Sequence, residues 1–347
     1  MTGAIAAVPV ATACGGAEIV ADGRVPQSRF DDDSTAEDVT EGLDLNGKIA
    51  VVTGCNSGIG FETMRVLALR GAYVIGTGRT VEKAQAACKQ VRGLTTPVAL
   101  ELSSFDSVAA CAEAIRGLKV PIDMLICNAG MRGGEHQQVN SVEQHFAVNH
   151  LGHFLLVNHL IDRMYFADQG RVVVVGSRAA YRSAPDEGIE FDNISGERDY
   201  SVGKAYAHSK LANSLFSLEL AQLLKGTRIT SNSLHPGIIN TNIVRNESAF
   251  RRKAWGLITS VSGKDLAQGA ATSCFVATSP SLGSTSGAYF EDCNAVTVGG
   301  PHHLLDRQMA ADLWMLSESL VGDYLIRHEK PDWRELEGGA SAPMTGA

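Results

Sequence analysis

Tyr206 and Lys210 stand four residues apart, downstream of the glycine-rich run Thr53-Gly54-Cys55-Asn56-Ser57-Gly58-Ile59-Gly60, with Asn149 and Ser177 in the interval. Hydride exchange at a carbonyl carbon needs a group that gives and takes a proton at the oxygen near neutral pH. Free tyrosine, with a pKa of about 10, is too weak an acid for this unaided. On a helix, positions four apart share a face, so the Lys210 ammonium can stabilise a Tyr206 phenolate and lower that value. Ser177 follows the apolar run Val172-Val173-Val174-Val175, and the carboxyl ends of parallel strands are where such sheets assemble their sites. Its hydroxyl can donate to a substrate oxygen as charge develops there.

The glycine run follows one apolar strand and opens a helical stretch. Gly54 lets the chain reverse, Gly58 admits a pyrophosphate close to the backbone, and Gly60 lets the helix pack closely. Asn56, Ser57 and Ile59 fill the turn, whose helix N-terminus offers free N–H groups and a positive dipole end to phosphates. The next strand ends in Gly76-Thr77-Gly78-Arg79. An acid there would bond the ribose hydroxyls and repel a 2′-phosphate. Arg79 can instead clamp that phosphate, which favours NADP with NAD as the alternative.

The elements that must position these groups are legible as apolar runs at residues 49–52, 73–75, 98–100, 124–126 and 172–175, with later strands near 229–234 and 288–290. Runs without polar alternation suit strands buried on both faces of a parallel sheet. Helical stretches are expected over 58–70, 81–91, 104–116, 142–165 and 205–224. The alternation predicts an α/β, doubly wound parallel sheet of Rossmann type in one domain, residues 44–325. Residues 1–43, rich in Ala, Gly and acids, are expected to form a flexible or surface-draped extension, and residues 326–347 a tail.

The chain has 347 residues, is 44% hydrophobic and carries a net charge of −8. No basic stripe serves a nucleic acid. Seven cysteines without CxxC spacing suit a reducing, cytoplasmic setting rather than a disulfide framework or zinc ribbon. The apolar start lacks the basic flank of a secretory signal, since the first Lys or Arg is Arg24. His150, His153 and His159 share one expected helix, but no matching acid or cysteine completes a metal site.

The order T-G-x-x-x-G-x-G, Asn128-Ala129-Gly130, Tyr206-x-x-x-Lys210 resembles the short-chain dehydrogenase/reductase family. Asp44-Leu45-Asn46-Gly47-Lys48, Ser209-Lys210-Leu211-Ala212-Asn213 and His235-Pro236-Gly237 look most like its retinol dehydrogenase and protochlorophyllide reductase branch. The resemblance implies that Glu101 and Leu102 take the place of an Asp-Leu pair at the adenine, and that Asn128, Ala129 and Gly130 support the adenosine ribose and central strand. It places Pro236, Gly237, Ile239 and Thr241 at the nicotinamide, makes Lys210 a ribose ligand, and gives Asn149 a water that completes a proton relay. Relatives commonly associate through the helices carrying Asn149 and Tyr206, which implies a homodimer or homotetramer.

The expected activity is reversible oxidation of a small lipophilic alcohol to its ketone or aldehyde. Alternatives are reduction of a carbon–carbon double bond, and a non-enzymatic NADP(H)-sensing or scaffold role. The long step from Ser177 to Tyr206 is expected to build part of a substrate wall. Residues 246–262, with Arg251-Arg252-Lys253, Trp255 and Leu257, fall where relatives carry a mobile substrate lid, and could touch a membrane surface.

Overall fold

A computed structural model describes residues 18–239, 263–300 and 302–326. Its strands are β1 (Ile19–Ala21), β2 (Ile49–Val52), β3 (Tyr73–Gly78), β4 (Thr95–Ala99), β5 (Met124–Cys127), β6 (Gln138–Val139), β7 (Val142–Glu143), β8 (Gly170–Val175), β9 (Ile229–His235), β10 (Tyr289–Glu291) and β11 (Asn294–Val298). All but the β6–β7 hairpin join one sheet in the order β1-β11-β10-β9-β8-β5-β2-β3-β4. The seven strands from β10 to β4 run parallel. The expected doubly wound architecture is therefore present.

Between the strands lie the helices α1 (Ala36–Val39), α2 (Gly58–Leu69), α3 (Val81–Cys88), α4 (Phe105–Gly117), α5 (Gln144–Phe146), α6 (Gly152–Met164), α7 (Ala179–Arg182), α8 (Val202–Leu223), α9 (Leu266–Thr278) and α10 (Arg307–Val321). They cover both faces of the sheet. One apolar layer joins Leu125, Val172 and Tyr289 to Phe154, Leu211 and Phe216 under α4, α6 and α8. The other joins Val52, Val175 and Phe290 to Met64, Leu67 and Phe275 under α2 and α9. Each such side chain contributes about 1.5–3 kcal/mol when fully buried, which holds the strand ends in register.

Two expectations need correction. From Glu18 onward the amino-terminal segment is built into the domain: β1 pairs antiparallel with β11, Ile19 opposite Val298, and Ala36 and Val39 are buried against the α2 and α9 layer. Its apolar residues are few; Val25, Ala36 and Val39 are buried, whereas Val20 stays exposed. Residues 1–17 and the tail from 327 lie outside the described residues.

The stretch 142–165 is not one helix. It opens with β7 and α5, then widens into a π-helical turn at Ala147–Leu151 before α6 begins. Such turns insert one extra residue per ring and are frequent at functional sites.

α10 packs on part of the surface of α6 and α8. Trp314 of α10 packs its ring 4.9 Å from Phe154 of α6 and 5.8 Å from Phe216 of α8. Ser317 of α10 meets His150 at 2.7 Å. Phe154 and Phe216 are thus covered by an aromatic ring of the same chain.

Candidate functional site

The chain runs from β2 to β3 and β4 on one side and from β5 to β8, β9 and β10 on the other, so the sheet changes direction between β2 and β5. The crevice at their carboxyl ends is where this architecture takes a ligand. There the Thr53 hydroxyl accepts from the backbone N–H groups of Asn128 and Ala129, both at 2.9 Å, and Asn128 Nδ2 donates to the Thr53 carbonyl at 2.8 Å. Asn128 thus braces the glycine turn itself.

A cleft of about 260 Å³ opens above this brace. Gly54, Asn56, Ser57, Gly58, Ile59, Gly60, Arg79, Glu101, Leu102, Asn128, Ala129 and Gly130 all line it, so the structure gathers there every adenosine-side and phosphate-side residue named from the sequence. Gly54 has a φ of +74°, a left-handed conformation that favours glycine. A Cβ on Gly60 would lie 2.5 Å from the Gly54 carbonyl oxygen and would also strike Asn128 Nδ2. Gly60 therefore closes the turn on itself, a tighter role than helix-on-sheet packing.

The amino terminus of α2 fits an anion. α3, α4, α8, α9 and α10 are capped by the side chains of Thr80, Ser104, Ser201, Asp265 and Asp306, whereas Ser57 makes no side-chain cap bond to α2. The first N–H groups of α2 lack that partner, and they face the glycine-lined cleft. Arg79 is exposed at the rim. Glu101 lines the cleft, with Oε1 accepting from the Ser103 N–H and hydroxyl at 3.2 and 2.9 Å.

The four proton-transfer candidates meet beside the cleft. Tyr206 and Lys210 lie on the buried face of α8, at 8% and 2% exposure. Lys210 Nζ donates to the Val175 carbonyl at 2.8 Å. Its burial lowers the ammonium pKa to about 8. A Cβ on Gly130 would sit 3.2 Å from Asn149 Oδ1 and 3.6 Å from Lys210 Nζ, so the absence of a side chain at 130 lets these groups approach. Burial pushes the Tyr206 phenol above its ordinary value, while hydrogen bonding with Ser177 and the charge of Arg132 pull it down.

Asn149 sits in the π-helical turn. Its side chain receives the Met131 N–H at 2.8 Å and donates to the Met131 carbonyl at 3.1 Å and to Ser209 Oγ at 2.9 Å. Ser209 in turn donates to the Tyr206 carbonyl at 2.7 Å. The amide of Asn149 thereby fixes the chain next to Tyr206, and its carbonyl is bonded to His153.

The residues just after Ser177 are anchored from β10, two strands away in the sheet. Arg178 Nε donates to Glu291 Oε2 at 2.6 Å and the Tyr181 hydroxyl to Glu291 Oε1 at 2.8 Å. The segment between Ser177 and Tyr206 also packs inward: the Glu190 N–H donates to His208 Nε2 at 3.0 Å, and Gly188 abuts Met309 of α10. It braces α8.

Gly237, with a φ of +99°, and Ile239 follow β9, where Ile239 is buried and bridges to Lys264. Thr241 and residues 246–262 lie outside the described residues. His150, His153 and His159 each bond a different partner, Ser317, Thr53 and Tyr324. Among the described residues no group of His, Cys, Asp and Glu forms a metal cluster, and no helix is long and apolar enough to cross a membrane.

Sequence reasoning missed Arg132, whose guanidinium carbon stands 5.2 Å from the centre of the Tyr206 ring. It also missed Glu291, and it named His153 only as a metal ligand to set aside. Their only signal lay in tertiary placement.

Fold and site together define a dinucleotide-binding enzyme with a buried tyrosine–lysine pair. The short chain dehydrogenase family model matches residues 48–188. The chloroplastic short-chain dehydrogenase TIC 32 A of Brassica napus is 38% identical over 86% of this chain and 96% of its own. Human retinol dehydrogenase 11 is 38% identical over 82% of this chain and 88% of its own. An uncharacterized protein from Mycobacterium Paratuberculosis, known from its crystal structure, superimposes with a TM-score of 0.65 at 29% identity, over 82% of this chain and 96% of that one. The chain belongs to the short-chain dehydrogenase/reductase family, in its retinol dehydrogenase-like branch, and is an NAD(P)-dependent oxidoreductase acting on CH–OH groups.

Proposed function

We propose that the chain is an NADP-preferring oxidoreductase that interconverts a lipophilic alcohol and its ketone or aldehyde, with Tyr206 as the acid and base. The observation that carries this reading is the buried Tyr206, with Ser177 at its hydroxyl and Lys210 on its own helix, beside the cleft bounded by Gly130. Bound NADP(H) supplies or accepts the hydride.

The first N–H groups of α2 and the Arg79 guanidinium would hold the phosphates, and the cleft walls at Glu101 and Leu102 the adenine. Ser177 donates to the substrate oxygen and holds it against Tyr206. In the reductive direction Tyr206 releases its proton to that oxygen, and in the oxidative direction it takes the proton back. Lys210 favours the transient phenolate by its charge, and Asn149 keeps the 130–132 backbone and the Tyr206 helix in register. A lipophilic substrate is supported by the kinship with retinol dehydrogenase 11. A cytoplasmic setting is part of the proposal, supported by free, buried thiols at Cys55, Cys88, Cys111, Cys127, Cys274 and Cys293. Self-association, common in this family, is part of the proposal.

The test is cofactor consumption with NADPH and NADH over retinoids, steroids, aromatic ketones and aliphatic aldehydes. The expected result is turnover of a lipophilic carbonyl or alcohol with NADPH preferred. Turnover confined to carbon–carbon double bonds, or none across the panel despite NADPH binding, would overturn it.

A further inference from the structure

Arg132 is placed by the same residue that organises the site. The backbone of Met131 is held on both its N–H and its carbonyl by the Asn149 amide. Gly133 and Gly134, with φ of +91° and +102°, then turn the chain away. The half-buried Arg132 side chain is left over Tyr206, its guanidinium carbon 5.2 Å from the ring centre, while Lys210 Nζ stands 5.9 Å from the same centre. Among the described residues, Arg132 from the β5–β6 connection, Lys210 from α8 and the Ser177 hydroxyl after β8 are the groups that act on this phenol.

The two cations differ in kind. Lys210 is buried and bonded to a neutral carbonyl, so its charge is lost near pH 8. An arginine stays charged throughout the working range of an enzyme. A positive charge about 5 Å from a buried ring favours phenolate over phenol.

We propose that Arg132 is a positioning residue that acts through Tyr206: its permanent charge over the ring sets the pH at which Tyr206 releases and regains its proton. The proposal rests on the assignment of Tyr206 as the acid and base, and adds a determinant outside the tetrad.

The test replaces Tyr206 by 3-nitrotyrosine in the full chain without cofactor. The ring then ionises nearer neutral pH and its phenolate is followed by its own absorbance, apart from the other tyrosines. Adding Arg132→Met should raise the midpoint by about one pH unit, a tenfold loss of phenolate at fixed pH. Arg132→Lys should restore most of that shift, which a merely structural role would not require. In the chain with its natural Tyr206, Arg132→Met should move the pH profile of kcat/KM the same way and leave NADPH binding unchanged. If Arg132→Met does not fold, Arg132→Gln is titrated in its place. A midpoint unmoved by the neutral variant, or equally raised by Arg132→Lys, overturns the proposal. Absence of turnover in the wild-type chain would count against the assignment of Tyr206, while the cofactor-free titration would still decide the electrostatic role of Arg132.

Discussion

The hydroxyl of Thr53 and the carbonyl of Asn149 are joined through one imidazole ring. Thr53 Oγ1 stands 2.9 Å from His153 Nε2, and His153 Nδ1 stands 2.9 Å from Asn149 O. Because the Asn149 carbonyl can only accept, Nδ1 carries the ring proton and Nε2 accepts from the Thr53 hydroxyl, whose other acceptor, the Ile126 carbonyl, lies farther off at 3.4 Å. Burial lowers the His153 pKa to about 4, which keeps the ring neutral across physiological pH. The phosphate turn and the π-helical turn are one mechanical unit.

His153→Leu should therefore destabilise the chain by about 1–3 kcal/mol, because the Thr53 hydroxyl and the Asn149 carbonyl each lose one buried hydrogen bond. It should also weaken NADPH binding, although His153 is not among the residues lining the cleft. Urea unfolding and cofactor titration check both, and a loss of stability under about 0.5 kcal/mol would show that the ring is dispensable.

Tyr206→Phe should leave NADPH affinity within about threefold and lower kcat by orders of magnitude, since it removes a proton without removing a cofactor contact. Single-turnover kinetics with the best substrate of the panel measures this. Unchanged turnover would remove Tyr206 from the chemistry.

Lys210 should make the cofactor-free protein less stable at neutral pH than a chain without it. Its folded pKa, about 8, lies below its ordinary value of 10.5. The cost of burying the charge is full below about pH 8 and fades as pH rises toward 10.5, a span worth on the order of 3 kcal/mol. Lys210→Met should be inactive yet more stable at neutral pH, with a margin that shrinks as pH climbs through this window. Urea melts at several pH values give the margin, and a constant one would contradict the argument.

Arg79→Ala should raise KM for NADPH about tenfold or more and leave KM for NADH nearly unchanged, because only NADPH carries the extra phosphate. Equal effects on both cofactors would take Arg79 out of the discrimination.

Trp314→Ala should cost about 2–4 kcal/mol and uncover Phe154 and Phe216. Light scattering should then report more self-association than for the wild-type chain. An unchanged mass together with an unchanged urea midpoint would mean that α10 does not protect this face.

The central strands were legible because Ile49–Val52 and Gly170–Val175 are buried on both faces and have no polar side to disguise them. The cofactor cleft was legible because its glycines are demanded by backbone geometry, which leaves a trace in sequence. β1 was not, since three residues in an acidic, alanine-rich segment become a strand only by pairing with β11. The π-helical turn at Ala147–Leu151 was hidden because the residue periodicity of a helix carries no sign of a single widened turn. Arg132 reads as a polar residue after Met131 until the fold brings α8 beneath it.

The pairing of β1 with β11 sets an order on synthesis. Ile19 leaves the ribosome long before Val298, its partner across the sheet, so the amino-terminal strand must wait unpaired until nearly the whole chain has emerged. Contacts this distant in sequence form slowly and leave surfaces open meanwhile. Chains truncated before β10 and β11 would thus lose both ends of the fold at once, leaving β9 as a raw edge and β1 with no strand to join.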